Sequence, residues 1–158
     1  MKKFEFTGET KTISLFFRTA TLHRIRAVAE FGLVKVGDLG GWIEKEENLS
    51  HEGKAWVCGD AKVCGDAEVC GDAEVFSASH VLVIGAIGSR DDFTTFFRDK
   101  DNEITVKCGC FLGKIDKFLE KVTQTHGDSK YALVYRAAVE VARLQIDLSG
   151  EAPKDADE

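Results

Sequence analysis

Ala55-Trp56-Val57-Cys58-Gly59-Asp60, Ala61-Lys62-Val63-Cys64-Gly65-Asp66 and Ala67-Glu68-Val69-Cys70-Gly71-Asp72, followed by Ala73-Glu74-Val75-Phe76, repeat with a period of six. The frame runs on more loosely, with Val57, Val63, Val69, Val75, Val81 and Ile87 in one phase and Ala55, Ala61, Ala67, Ala73 and Ser79 in another. An α-helix cannot use this pattern, because six residues at roughly 100° each leave successive valines about 120° apart around the axis. In extended backbone Ala55 and Val57 point to one side, as do their counterparts, while Gly59 and Asp60 supply the bend before the next short strand. A series of hairpins with tight Gly-Asp turns is the competing reading, and verbatim repetition argues against it.

The repeat resembles the hexapeptide-repeat family of left-handed β-helices, in which an aliphatic residue points into a triangular prism and a small residue sits near each corner. That resemblance implies about 18 residues per coil, so residues 55–88 make close to two coils. Ile43 and Leu49, in phase with the alanine set, extend them. A solenoid this short needs caps at both ends. The expected fold is therefore mainly β with an α+β cap. A short left-handed β-helix at 55–88 is flanked by an N-terminal β segment at 1–54 and by a strand plus helix-turn-helix cap at 89–149. Residues 150–158 hold the only proline and several acids, and read as a disordered tail. Cys58, Cys64 and Cys70 each follow an inward valine and should point outward from different faces, too far apart for a disulfide or a shared metal. Asp60, Asp66 and Asp72 read as turn residues.

With 158 residues, 44% hydrophobic and 30% charged, the chain can bury one ordinary core and no second large domain. A net charge of −6 opposes general nucleic-acid binding and binding to an anionic membrane. No stretch is long and apolar enough for a spanning helix, and Met1-Lys2-Lys3 leads into Phe4-Glu5-Phe6 and not into a signal peptide's apolar core. Five cysteines without a framework-like arrangement suit a reducing compartment, so the expected location is the cytoplasm.

In the first segment, strands are expected at Lys3 to Phe6, Ile13 to Arg18 and Leu22 to Val28, with a turn around Gly8. Extended backbone over the third puts Arg24 and Arg26 on one face with Leu22, and His23, Ile25 and Ala27 on the other. Two guanidinium groups together could hold a phosphate or carboxylate, or could pair with some of the 27 acidic side chains. Gly37-Asp38-Leu39-Gly40-Gly41-Trp42-Ile43-Glu44 allows close backbone approach just before a large aromatic. It lacks the lysine and hydroxyl of a phosphate-binding loop. Trp42 either caps the repeat or floors a ligand pocket.

After Gly88, residues 91–100 read as a strand, Asp101-Asn102 as a turn and Glu103 to Phe111 as a second strand, with Cys108 and Cys110 on one face as buried thiols beside Phe111. Ile115, Phe118, Leu119 and Val122 make the stripe of an amphipathic helix ending at His126-Gly127. Asp128 or Ser129 caps a second helix to about Leu148, with Val134, Ala137, Ala138, Val141 and Leu144 expected to face inward.

Phe6-Thr7-Gly8-Glu9-Thr10, the strand Leu22 to Ala27, the Gly37 to Ile43 turn, the hexads, and the Gly109 to Gly113 and Thr125 to Gly127 stretches resemble, in this order, a group of uncharacterised proteins common in phages and prophages with a hexapeptide-repeat core. The resemblance implies no activity. Hexapeptide solenoids often host acyltransferases with a histidine base, for which His51 and His80 are the candidates. The hexads run without the extruded loop such enzymes carry, so no catalytic residue, metal or cofactor is assigned. His23 and His126 read as structural. A non-catalytic binding protein that forms a homo-oligomer is the leading expectation, and a phage gene of this kind reads as a counter-defence factor in the host cytoplasm. Its partner would be a nucleotide-like immune signal, held by Arg24, Arg26 and Trp42 with Lys130 or Arg136 from a neighbouring chain, or a host defence protein blocked by surface contact. A structural, self-assembling protein is the third expectation.

Overall fold

Glycine takes positive φ without the steric cost a side chain adds, and the three repeats use it in the same way. Gly59, Gly65 and Gly71 have φ of 64°, 61° and 65°. In each turn the alanine N–H donates to the cysteine carbonyl three residues back, Ala61 to Cys58, Ala67 to Cys64 and Ala73 to Cys70, all at 3.3 Å. The computed structural model describes residues 2–15 and 18–149. It is mainly β with two helices near the C-terminus. The elements are β1 (Phe4–Ser14), β2 (Thr19–Ala27), β3 (Leu39–Ile43), β4 (Trp56–Val57), β5 (Lys62–Val63) and β6 (Glu74–Val75), then β7 (Val81–Ile87), β8 (Asp92–Arg98), β9 (Ile104–Cys108), β10 (Phe111–Lys114), α1 (Ile115–His126) and α2 (Lys130–Gln145).

The short strands meet their neighbours in parallel. Trp42 faces Lys62 and Ile43 faces Val63, Leu49 bridges Val69, and Trp56 faces Glu74 while Val57 faces Val75. The chain therefore returns onto itself at 20, 20 and 18 positions. No two repeats pair antiparallel, so the hairpin alternative fails. Both repeat columns are buried, with Val57, Val63, Val69, Val75, Ala55, Ala61, Ala67 and Ala73 at 2% exposure or less alongside Ile43 and Leu49. Each valine so removed from water contributes about 1.5 to 3 kcal/mol before ordering costs. The geometric repeat stops before the sequence period does. Val81 and Ile87 keep the phase, but β7 runs antiparallel to β8, so residues 81–87 belong to a second sheet, and the expected 55–88 span is corrected at its end. The backbone groups of β7 are taken by β8; Val81 still packs against the edge of the repeat core, while Ile87 packs against the second core.

The N-terminal hairpin also differs from expectation. β1 continues through Gly8 to Ser14, and the chain reverses between Leu15 and Arg18; the expected strand from Ile13 to Arg18 is thereby corrected, and positions 16 and 17 lie outside the described residues. Phe6 pairs with Ile25 but Thr10 with His23, so three residues of β1 bulge past one of β2. The bulge breaks the expected alternation: Leu22 and Ile25, of opposite parity, are both fully buried. Beyond β2, Gly40 and Gly41 of β3 lie flat against the repeat. A Cβ on Gly40 would stand 2.6 Å from Ile25 Cγ1 and 2.8 Å from both Trp56 Cζ2 and the Val57 carbonyl oxygen, and one on Gly41 would stand 2.9 Å from the Ala61 oxygen.

Glu44, just past β3, ties the hairpin to the repeat. It accepts both Arg18 Nη atoms, at 2.7 and 3.0 Å, and the Gly65 N–H at 2.7 Å. The Arg18 hydrogen bonds first, and then the Gly65 N–H, hold its carboxyl down to about 2 from the ordinary 4.5. A carboxyl depressed by folding stabilises above its unfolded pKa and loses that contribution as pH falls through the folded one. Stability should therefore drop between pH 4.5 and about 2. Arg18 is 47% exposed, so solvent screening leaves at most about 1 kcal/mol for the pair. Denaturant titrations of wild type and Glu44→Gln at pH 6 and pH 3 check it: the difference between the two proteins should shrink at the lower pH.

The C-terminal sheet has the order β10-β9-β8-β7. Adjacent residues of a strand point to opposite faces, and Phe96 and Phe97 are both fully buried, one in each of two cores. Phe97 closes the end of the repeat core, while Phe96 lies under α1 and α2. Arg98 Nε donating to the Glu74 oxygen at 3.1 Å, and Lys100 N donating to the Asp72 oxygen at 3.0 Å, lock the sheet onto the last repeat. α1 follows expectation, burying Ile115, Phe118 and Val122 and ending at Gly127 with φ 57°. α2 begins after Ser129 and ends at Gln145, short of Leu148, and its buried face is Ala132, Tyr135, Ala138, Val139 and Ala142. This corrects the expected inward set: Val141 and Leu144 are exposed. Both sides of α2 carry apolar residues, and packing on the sheet selected the side with small alanines around one tyrosine. Cys108 and Cys110 are corrected too, because β9 ends at Cys108 and Gly109-Cys110 form the turn into β10. Cys110 is exposed. Among the described residues no helix is long and apolar enough to cross a membrane.

Candidate functional site

A largely apolar cleft, about 450 Å³, opens where α1 faces the β7–β8 and β9–β10 turns. Its floor follows from the second core. Phe118 stands edge-on to Tyr135, with centroids 5.7 Å apart at 90°, and tilted against Phe111 at 5.5 Å. His126, in the last turn of α1, stacks on Tyr135 at 5.7 Å and 26°. Gly88 has no side chain at the point where a Cβ would lie 1.8 Å from the Tyr135 hydroxyl oxygen, so the ring can reach the backbone of the β7–β8 turn. Burial first, and then the neighbouring Cys108, push the Tyr135 phenol up, keeping it a neutral donor. Cys108 Sγ accepts a hydrogen bond from Thr94 Oγ1 at 3.3 Å.

The rim is cationic. Arg90 from the β7–β8 turn and Lys121 from α1 both line the cleft. Of the chain's seven arginines, Arg18, Arg24, Arg26, Arg136 and Arg143 have carboxylate partners, and Arg98 donates to the backbone oxygen of Glu74. Arg90 alone makes neither an ion pair nor a hydrogen bond among the described residues, and Lys121 makes none there either. With 27 acids in the chain, an arginine left unpaired beside an aromatic cleft is poised for an anionic group supplied from outside. Asp92 is the acid on the same rim.

The residues singled out in the sequence lie elsewhere. Arg24 is directly across from Trp42 in the β2–β3 register. Its guanidinium is 5.9 Å from the indole centroid, and Lys11 Nζ lies 4.1 Å over the same ring. Arg24 pairs with Glu9 at 3.4 Å, and Arg26 with Glu5 at 2.5 Å. An anion there would have to displace carboxylates already in place. Lys130 is the first residue of α2. Arg136 donates to the Gly127 oxygen at 3.0 Å and to Thr123 Oγ1 at 3.3 Å, and so holds the α1–α2 junction. The structure thus brings Arg24 and Trp42 together on the first sheet, and sets Lys130 and Arg136 on a helix over the second.

The histidines considered as bases are both engaged by backbone. His51 Nδ1 accepts the Lys3 N–H at 3.0 Å, its Nε2 meets Glu46 at 3.0 Å, and its ring stacks on Phe4 at 4.2 Å. His80 Nδ1 accepts the Phe76 N–H at 3.1 Å, and burial first, with Arg98 nearby, pushes its pKa down. Burial raises the thiols of Cys58, to about 11, and of Cys64 and Cys70, so all three are protonated at neutral pH. Among the described residues no three His, Cys, Asp or Glu side chains converge as metal ligands.

Trp56 was not singled out by sequence reasoning. It occupies the hexad position that holds Lys62, Glu68 and Glu74 in the other repeats, yet it is 1% exposed because Phe31 covers it edge-on at 5.3 Å. The cleft was missed for another reason: its parts come from residues 88–92, 108–111, 118–126 and 135, and only the folded sheet unites them. The one local signal was the Ser89-Arg90 turn just after the period of six ends. A scan against protein-family models finds no match for the chain, and a search of curated proteins finds none.

Proposed function

We propose that this is a non-catalytic binding protein, built on a short left-handed β-helix, that captures a small anionic molecule with a flat apolar part, of the nucleotide kind, in the α1 cleft. The β-helix reading is supported by the parallel returns at 18 to 20 positions and by the two buried columns of valine and alanine. One observation carries the functional reading: Arg90, unpaired, stands with Lys121 over a floor of Phe111, Phe118 and Tyr135. A base or comparable ring fits the aromatic floor, and phosphate fits the two cations. Taken with the likeness of the sequence motifs to phage and prophage proteins, sequestration of a nucleotide-derived immune signal in the host cytoplasm is the role we assign. Acyltransfer is the weaker reading, since His51 and His80 both spend a ring nitrogen on backbone.

Isothermal titration with a panel of mononucleotides and cyclic dinucleotides tests the proposal. Arg90→Glu and Lys121→Glu should each weaken binding of any panel member at least tenfold, since a lost charge-assisted contact costs about 1.5 to 3 kcal/mol. Both side chains are exposed, so folding should be unaffected. Arg24→Ala should leave affinity unchanged. Absence of binding across the panel, or loss on Arg24→Ala and not on Arg90→Glu, would overturn the cleft as the site.

A further inference from the structure

Arg90 and Asp92 carry opposite charges on one rim of the α1 cleft, yet among the described residues neither forms an ion pair, with the other or elsewhere. Arg90 reaches over the β9–β10 turn, its Nη1 3.8 Å from where a Gly109 Cβ would stand. Asp92 opens β8 and is exposed. Its Oδ1 accepts the N–H of the next residue, Phe93, at 2.7 Å. That bond orients the carboxylate and leaves Oδ2, with a lone pair of Oδ1, open to a ligand. Asp92 is the single acid among the described residues that line the cleft. It also lies near the aromatic floor: behind burial and Cys108, its charge raises the Tyr135 phenol, while that of Arg90 lowers it.

An ionised carboxylate only accepts hydrogen bonds, and it repels phosphate, so Asp92 must meet a part of the ligand that presents donors. Among the bases, guanine sets two donors side by side, the N1–H and the 2-amino group, and can satisfy both carboxylate oxygens at once. Adenine and cytosine place one amino group beside a ring nitrogen acceptor, which would face the second oxygen. Uracil and thymine place one N–H between two carbonyls. We infer that Asp92 reads the base and that the cleft selects guanine: N1–H and the 2-amino group donate to Asp92, the ring lies on Phe118 and Tyr135, and phosphate meets Arg90 and Lys121. The assignment rests on the cleft binding a nucleotide, as proposed above. One acid beside one aromatic floor provides for one base. The ribose diol is the other pair of donors in a nucleotide, but the floor beside Asp92 is the surface that a base stacks on.

Isothermal titration of the full chain with GMP, 2′-deoxy-GMP, IMP, AMP and UMP provides the test. GMP and 2′-deoxy-GMP should bind about tenfold tighter than AMP, UMP and IMP, the last of which lacks only the 2-amino group, since a bidentate base contact discriminates by about that factor. Asp92→Asn keeps an acceptor for the Phe93 N–H and puts a donor in place of the other oxygen. It should weaken GMP about tenfold and strengthen xanthosine monophosphate, whose 2-oxo group accepts that donor. Its melting temperature should match wild type, because position 92 is exposed. A gain for xanthine is a change that a merely structural role of Asp92 would not produce. Equal affinity for the four bases, or an Asp92→Asn variant that still prefers GMP, would overturn the guanine assignment and leave the cleft as a nucleotide site. A preference that follows the 2′-hydroxyl and not the base would place Asp92 at the ribose and overturn it too. If no nucleotide binds, the cleft itself fails as the site, and the guanine assignment with it.

Discussion

Gly40→Ala should destabilise the protein by about 3 kcal/mol or more, and lower its unfolding midpoint by roughly 10 °C. The added methyl would have to occupy space 2.6 Å from Ile25 Cγ1, 2.8 Å from Trp56 Cζ2 and 2.8 Å from the Val57 carbonyl oxygen. Ile25 and Trp56 are at most 1% exposed, so neither can turn aside, and the carbonyl belongs to β4, which is paired with β6. Relief must come from moving β3 away from the repeat, which breaks the Trp42–Lys62 pairing. A close-packed interior gives way only as a unit. Gly8→Ala serves as the control for glycine chemistry, since nothing lies within 4 Å of its Cβ position, although its φ of 94° adds some backbone strain of its own. Equilibrium denaturation of both variants by circular dichroism provides the measurement. A Gly40→Ala midpoint within 3 °C of wild type, by the scaling of about 2 to 4 °C per kcal/mol, would show that the Gly-Gly pair serves something other than close approach.

Asn48→Ala should cost a similar amount, about 3 kcal/mol, through unmet hydrogen bonds and not through a clash. Asn48 is fully buried. Its Nδ2 donates to the Gly65 oxygen at 3.1 Å and to the Ala67 oxygen at 2.8 Å, while its Oδ1 accepts the Lys45 N–H at 2.9 Å. One amide therefore satisfies three backbone groups that belong to two different passes of the chain, at the corner where the Val69 N–H also donates to the Asn48 carbonyl oxygen. Alanine leaves all three without their partner, and aspartate would fare no better, because it sets an acceptor against two carbonyls. Glu47→Ala, at the exposed neighbour, should change stability by less than about 0.5 kcal/mol. If urea midpoints put Asn48→Ala as close to wild type as Glu47→Ala, water must be replacing the amide, and the corner is not sealed.

Gly40 and Asn48 differ in how far they could be read in advance. Two adjacent glycines before Trp42 announce close backbone approach, and the structure supplies the surface that they approach. Asn48 gave no signal, because its partners lie 17 and 19 positions on, at Gly65 and Ala67. The candidate site divides in the same way. Arg24 and Arg26 were legible as a pair by strand alternation and Trp42 by the glycines before it, but only the structure sets Arg24 across from Trp42, and nothing local revealed that Glu9 and Glu5 would neutralise the two arginines. Arg90 became visible only by contrast, once every other arginine had found its partner.

What the sequence by itself determined is the set of structures written in short-range terms. These are the period of six with its Gly-Asp turns, the inward valines and alanines up to Val75, the stripe and glycine stop of α1, and the close approach at Gly40-Gly41. Each depends on dihedral preference or on side-chain alternation within a few residues, so the order of residues alone carries it. Tertiary structure alone decided where the repeat ends, because Val81 and Ile87 keep the phase but give their backbone to β8. It also decided which of two apolar faces α2 buries, and that Phe96 and Phe97 would serve separate cores. In those places the local pattern allows two arrangements, and the choice falls to contacts between residues far apart in the chain, which no local pattern encodes.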